Sequence, residues 1–140
     1  MDARFCFAVD WHRDLVRITM SGLFGEADIA RFLEARRAAH AQLGCAPNQH
    51  FTLNDVRAMK IQPQQSVAAF QELLADPAYR SRRLAFLVSP TLATSQLKRA
   101  AADRQVRCFE DQGEAEAWLF EDGAEEEREA IARWRPRLVA

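Results

Sequence analysis

The distribution of apolar residues along the chain predicts a regular alternation of strands and helices. Residues 84–88 (LAFLV) form a continuous apolar run, which is typical of a strand covered on both faces by helices. Ser89 and Pro90 follow directly, and they offer an N-cap hydroxyl and a proline suited to the first position of a helix. Near the start of the chain, residues 4–9 and 15–20 have near-alternating apolar residues on either side of a polar segment, which predicts a β-hairpin.

The remaining segments continue the alternation. Apolar residues recur at helical spacing in residues 26–43, which have carboxylates in the first turn, and in residues 62–75, where Pro63 lies near the start. The other predicted elements are a strand at 51–56, a helix at 91–103, a strand at 105–109 and a helix at 113–120. The order ββαβαβαβα predicts one α/β domain over residues 1–120, with a mixed but mostly parallel sheet.

Residues 121–140 predict an acidic, helical C-terminal extension. Six acidic residues and one arginine lie between positions 121 and 129, and Glu129 precedes Arg133 by one helical turn. We interpret the segment as a solvated helix whose Trp134 packs on its own domain. A contact between subunits is the alternative, because exposed tryptophan is favoured in interfaces.

Basic residues gather at the amino-terminal edge of the predicted sheet. They are Arg80, Arg82 and Arg83 before the fourth strand, and Lys98, Arg99 and Arg104 before the fifth. Cations at helix ends offset the helix dipole, which is the interpretation that we prefer. The alternative is a docking surface for an acidic partner, such as the acidic extension of a neighbouring copy.

Composition and charge narrow the range of partners. The 140 residues carry a net charge of -1, which provides no overall field to attract nucleic acid or an anionic membrane. No apolar run approaches the roughly 20 residues of a membrane span. The three cysteines are far apart and outside any CxxC pattern, which indicates reduced thiols and leads us to expect a cytoplasmic protein of bacterial type.

The sequence contains no motif that supplies catalytic chemistry. It lacks glycine-rich phosphate-binding loops, the HExxH and GxSxG motifs, and any His/Cys cluster with metal-ligand spacing. His12, His40 and His50 fall on different predicted segments, which favours structural roles for each. We therefore expect a protein that is not an enzyme and that needs no metal or cofactor.

Polar residues collect instead where the parallel strands are predicted to end. Ligands and partners commonly meet a parallel sheet at the carboxyl ends of its strands. The residues that we predict to bind there are Asn54, Asp55, Ser66, Ser89, Thr91 and Glu110. Each is also an ordinary capping or turn residue, so a structural role is the alternative at every position. As a set they favour recognition over catalysis, because they include no paired nucleophile and base.

The element order, together with two short sequences, resembles a known family. The third predicted strand ends in LNDV at residues 53–56, and the last helix of the domain contains EAEAWL at residues 114–119. Over residues 4–120 the chain is similar to the SpoIIAA-like domain, the fold of STAS modules (anti-sigma-factor antagonists) and their lipid-carrier-like relatives. The resemblance implies a regulatory or protein-interaction module, with a kinase or a sigma-factor regulator as the type of partner.

The same resemblance implies a candidate phosphorylation site and an alternative function. Signalling members carry a phosphorylatable serine in a DSSG-like segment after the third strand; this chain has no Asp-Ser pair there, and Ser66 is the serine near the following helix start. The alternative is a small-ligand or lipid-binding module, which would need a concave apolar site between helices and sheet. The aromatic residues that could line such a site, or simply form the core, are Phe24, Phe32, Phe70, Phe86 and Trp118. A homodimer is compatible with either function.

Overall fold

The fold is built on a five-stranded mixed sheet, and the computed structural model describes residues 2–89 and 105–121. In chain order the elements are β1 (Arg4–Asp10), β2 (Leu15–Gly22), α1 (Glu26–His40), β3 (Phe51–Met59), α2 (Gln64–Ala75), a 3₁₀ turn (Pro77–Tyr79), β4 (Arg83–Leu87), β5 (Val106–Phe109) and α3 (Gln112–Leu119). The predicted helix at 91–103 and the extension after residue 121 lie outside the described residues. Within those residues, no helix has the length and apolar character needed to cross a membrane.

The strands lie side by side in the order in which they occur along the chain. β1 and β2 form the predicted antiparallel hairpin, and the other neighbouring pairs are parallel. The register places Ile18, Asn54, Phe86 and Cys108 in one row across the sheet. Paired residues share a face because side chains alternate along each strand. This row therefore defines the face that α1 and α2 cover.

An aromatic core occupies part of the space between that face of the sheet and the two helices. Phe24, Phe32 and Phe86 are almost fully buried. The Phe32 ring lies 5.0 Å from the ring of Phe7 on β1 and 6.5 Å from the ring of Phe70 on α2. Removing an aromatic side chain of this size from water stabilises the fold by about 2–3 kcal/mol, so Phe32 fixes α1 against β1 and α2.

A second, smaller core lies on the opposite face of the sheet, under α3. Ala115 and Leu119 of α3 are fully buried there. The strand residues of this core are Leu15, Phe51, Leu53, Ala85 and Leu87. Leu84 and Phe86 belong to the first core. Successive residues of β4 thus enter two different cores, which explains the uninterrupted apolar run predicted to be a strand buried on both faces.

β2 and β3 extend further than their apolar patterns indicate. β3 was predicted to end at residue 56 and continues to Met59, which pairs with Gly22 after a register irregularity. Gly22 has a φ of +82°, and a Cβ atom at this position would lie 2.2 Å from the carbonyl oxygen of Asp2. A glycine is therefore required where the N-terminal residues pass close to the end of β2.

Candidate functional site

A cavity of about 550 Å³ lies between α1, α2 and the face of the sheet that they cover. Its apolar lining consists of Ile18, Phe32, Leu73, Leu74, Leu84 and Val106. Its polar lining consists of Arg36, His40, Thr52, Asn54, Tyr79, Arg80, Ser81, Arg82 and Gln105. Several of these polar residues lie at or just before the starts of β3 and β4, which is the edge opposite to the one favoured by sequence reasoning.

Arg36 places a fixed positive charge in the cavity wall. This residue of α1 is only 6% exposed. Its Nη1 donates to the carbonyl oxygen of Leu73 at 3.0 Å, its Nη2 lies 3.5 Å from the Asp76 carboxylate, and its guanidinium lies 4.0 Å from the centre of the Tyr79 ring. Burial lowers the pKa of Arg36 from its usual value, but a guanidinium remains charged in proteins. The side chain therefore connects α1 to the end of α2 while it remains a cation.

Two histidines meet beside Arg36. His40 is the last residue of α1 and His50 directly precedes β3. The Nδ1 of His40 lies 2.9 Å from the carbonyl oxygen of Arg36, so this nitrogen carries the proton and donates. The two Nε2 atoms are 3.2 Å apart, which makes His50 the donor and His40 the acceptor when both rings are neutral. Burial lowers the pKa of both rings, that of His50 to about 4, so both are neutral at neutral pH.

Ser81 lies near His50, but the pair does not form a catalytic triad with His40. The Oγ of Ser81 is 3.2 Å from the Nε2 of His50 and 2.6 Å from the Oγ1 of Thr52. In a triad the base contacts the nucleophile through one ring nitrogen and its orienting partner through the other. Here the same Nε2 of His50 contacts both neighbours, so it cannot accept the Ser81 proton while it donates to His40. The arrangement is a hydrogen-bond network without a prepared nucleophile.

The Nε of Arg36 and the Oδ1 of Asn54 belong to residues of the cavity lining, and both atoms are buried without a hydrogen-bond partner among the described residues. Asn54 lies within β3 on the cavity face and is 8% exposed. A buried polar group without a partner costs about 1–3 kcal/mol, and in native proteins such groups commonly mark the position of a bound water, ion or ligand. Arg36 thus has a buried donor and Asn54 a buried acceptor whose hydrogen bonds are not made.

The other residues predicted to bind at the carboxyl edge are only partly brought together. Asp55 forms an ion pair with Arg57 at 2.7 Å, and hydrogen bonding from that guanidinium lowers the pKa of the carboxyl. The Oγ of Ser89 is 3.4 Å from the carbonyl oxygen of Arg57, so Asp55 and Ser89 approach the same arginine. Glu110 is exposed after β5, and Thr91 lies outside the described residues. Binding roles for these four residues stay predictions.

Ser66 is part of the junction between α2 and the segment after β2. Its side chain is buried, and its Oγ donates to the carbonyl oxygen of Phe24 at 2.6 Å. The backbone N–H of Phe24 in turn donates to the side-chain oxygen of Gln62 at 2.9 Å. A kinase would need this junction to open before it could reach the Ser66 hydroxyl.

The basic residues of the amino-terminal edge have separate roles. Arg80 and Arg82 line the cavity. Arg83 lies 3.1 Å from the carboxylate of Glu121 and donates to the carbonyl oxygen of Trp118. The first acidic residue of the predicted extension therefore pairs with a basic residue of its own chain. Lys98, Arg99 and Arg104 lie outside the described residues.

Sequence reasoning missed the pairing of His40 with His50. One signal was available: His40 lies in the last turn of the helix predicted at 26–43, and His50 directly precedes the next predicted strand, so a short connection separates them. Periodicity alone does not say that the two rings meet. Within residues 2–89 and 105–121, no group of three or more His, Cys, Asp or Glu side chains is arranged to hold a metal ion.

Comparison with known proteins finds a structural likeness. No family model and no curated protein matches the sequence. The crystal structure of an uncharacterized protein from the DUF3478 family with a SpoIIAA-like fold, from Shewanella loihica PV-4, is similar with a TM-score of 0.67 and 15% sequence identity. The match covers 86% of this chain and 97% of that chain. At this identity the likeness shows the fold alone, and the predicted SpoIIAA-like fold is confirmed.

Proposed function

Starting from the SpoIIAA-like fold, we propose that this chain is a non-enzymatic binding module that encloses a small molecule between α1, α2 and the sheet. The observation that carries the proposal is the cavity of about 550 Å³. Ligand pockets usually have volumes of about 300–1,000 Å³, with apolar walls and a few polar groups that orient the ligand. The lining described above combines apolar residues with a larger number of polar ones, and Arg36 and Asn54, each with a buried polar atom that makes no hydrogen bond, provide the orienting groups.

The chemistry of the histidine pair favours binding over reaction. An efficient general base has a pKa near the working pH and a nitrogen able to accept a proton. Burial holds the pKa of His50 at about 4, and the Nε2 atom nearest to Ser81 is the one that donates to His40. These features favour a structural role for the histidine pair in the cavity lining over a role as a general acid and base.

Native mass spectrometry of the full chain purified from its own host tests the proposal. We expect a small molecule that remains bound to the wild-type protein. Leu74→Trp should remove it, because Leu74 lines the cavity and a larger side chain would occupy the space. Leu33→Trp is the matched control on the exposed side of α1 and should retain the molecule. A folded Leu74→Trp variant that carries the same molecule as the wild type would contradict binding in this cavity.

The second candidate is a regulatory or protein-interaction role in a bacterial cytoplasm, with a kinase or a sigma-factor regulator as partner. It is supported by two exposed apolar residues, Leu23 and Ile61, which follow β2 and β3 at the carboxyl edge. They lie on adjacent segments, because the N–H of Lys60 donates to the carbonyl oxygen of Gly22 at 3.2 Å. Exposed apolar side chains at one edge can anchor a partner.

Copurification from the host with a tagged full chain tests this second candidate. A partner that docks at the edge should be lost when Leu23 and Ile61 are both changed to serine. Trp11→Ser, at the exposed hairpin turn, is the control and should keep the partner. Light scattering of the same variants reports whether a homodimer uses this edge. Full retention of the partner and of the oligomeric state in the double variant would exclude the edge as the docking surface.

A further inference from the structure

The charged residues that line the cavity, among those that the structure describes, are all positive. Three arginines line it, and no aspartate or glutamate does so within the described part of the chain. The carboxylate that pairs with Arg36 is that of Asp76, whose side chain is 38% exposed and is therefore screened by water. A low-dielectric cleft lined by cations concentrates the positive potential and favours an anionic occupant.

Arg36 is held in place before any ligand enters. Its two Nη atoms are engaged by Leu73 and Asp76, and its flat face lies on Tyr79. Its Nε–H group is a further donor, and it is buried without a partner among the described residues. An anion that met this group would gain a charge-assisted hydrogen bond without the entropic cost of ordering a flexible arginine.

Asn54 offers a hydrogen-bond acceptor, whereas Arg36 offers a donor. Its Oδ1 is an acceptor without a partner among the described residues, so it favours a ligand with a hydroxyl or amine donor. Nearby, Phe32, Leu73 and Leu84 provide apolar surface for the body of the ligand. A neutral histidine pair adds no charge of its own at neutral pH.

From these three features we infer that the cavity takes an organic anion with an apolar body, whose acid group binds the guanidinium of Arg36 and whose donor group faces Asn54. This inference rests on the proposed binding function and specifies the class of its ligand. Arg80 and Arg82 contribute to the positive potential at the same cavity.

Three matched compounds test the inference on the full chain: phenyllactate, with an acid and a hydroxyl; phenylpropanoate, with the acid alone; and phenyllactamide, with the hydroxyl and a neutral amide. Two-dimensional ¹H–¹⁵N NMR titrations report binding at the Arg36 Nε–H and at the backbone amides of the cavity residues. We expect phenyllactate to shift these resonances and to bind at least about 10-fold more tightly than either analogue, as loss of one charge-assisted or buried hydrogen bond implies.

Variants identify the residue responsible. Arg36→Gln should abolish the preference for acid over amide, whereas Arg37→Gln should keep it, because Arg37 is exposed on the same helix and pairs with Glu34. If Arg36→Gln does not fold, Arg80→Gln, at an exposed lining position, should still weaken phenyllactate relative to phenyllactamide.

The failures of the two proposals are distinguishable. Equal affinities for phenyllactate and phenyllactamide, with shifts at the cavity, would overturn the anion inference and leave the binding function standing. The absence of any shift at the cavity with all three compounds would also overturn the inference. The molecule retained in native mass spectrometry, and its loss in Leu74→Trp, would then decide the binding function separately.

Discussion

Acidification below pH 6.5 should destabilise this protein through His50. The His50 side chain is 2% exposed, and burial, with a smaller contribution from His40, lowers its pKa from 6.5 to about 4. The unfolded chain exposes the same imidazole to water, where it keeps its ordinary pKa. As the pH falls below 6.5, the unfolded state therefore binds a proton that the folded state does not, and unfolding becomes more favourable.

The size of the loss of stability follows from the shift in the pKa of His50. One pKa unit corresponds to about 1.4 kcal/mol, so His50 should remove about 3 kcal/mol from the free energy of unfolding as the pH falls from 6.5 to about 4. Above pH 6.5 the ring is neutral in both states and contributes no pH dependence. Burial also lowers the pKa of His40, which adds to the loss. The pKa values of Asp10 and Asp55 are lowered from the ordinary aspartate value of 3.8. The stabilisation by these two charges is therefore lost only as the pH falls below 3.8.

Urea unfolding followed by tryptophan fluorescence, repeated at a series of pH values, measures this dependence. His50→Gln should lower stability at neutral pH, because it disturbs the hydrogen bonds to His40 and Ser81, but it should flatten the decline between pH 6.5 and about 4 by about 3 kcal/mol. His12→Gln is the control, since His12 is exposed and stacks on Trp11. If His50→Gln declined as steeply as the wild type, the buried imidazole would not be the cause and the reasoning would be refuted.

Two further predictions concern the fold. Phe86→Ala should lower the free energy of unfolding by about 3–5 kcal/mol in chemical denaturation, because it leaves a cavity in the larger core, whereas Leu33→Ala at an exposed position should cost less than about 1 kcal/mol. A similar cost for both would contradict the assigned burial. Gly22→Ala should cost more than about 1 kcal/mol, because of the positive φ and the nearby Asp2 carbonyl, while Gly44→Ala, with nothing within 4 Å of a new Cβ atom, should be close to neutral. A Gly22→Ala protein with wild-type stability would exclude that close approach.

The periodicity of the sequence was sufficient to predict the fold class. Residues 84–88 predicted a strand buried on both faces, and β4 has Leu84 and Phe86 in one core and Ala85 and Leu87 in the other. The alternating runs at 4–9 and 15–20 predicted the hairpin of β1 and β2. Together with the element order, these local signals predicted an α/β domain with a mostly parallel sheet, because each reports which side of an element avoids water. The SpoIIAA-like fold followed from the resemblance of the element order and of residues 53–56 and 114–119 to that family.

The candidate site could not be predicted in the same way. The rule that ligands meet a parallel sheet at its carboxyl ends directed attention to the edge opposite to the cavity, and of the residues named there that the structure describes, Asn54 is the one that lines it. Asn54 was expected near the end of a strand, but β3 continues to Met59 and places it within the sheet.

Over residues 2–89 and 105–121, the sequence by itself determined which segments are strands and helices, their order, and the faces they bury, because these depend on residues a few positions apart. Only the tertiary structure decided which polar side chains meet: His40 with His50, and Arg36 with Leu73. These contacts join α1 to the start of β3 and to α2. Their hydrogen bonds and pKa shifts arise from burial by the whole fold, a property that no local pattern of residues contains.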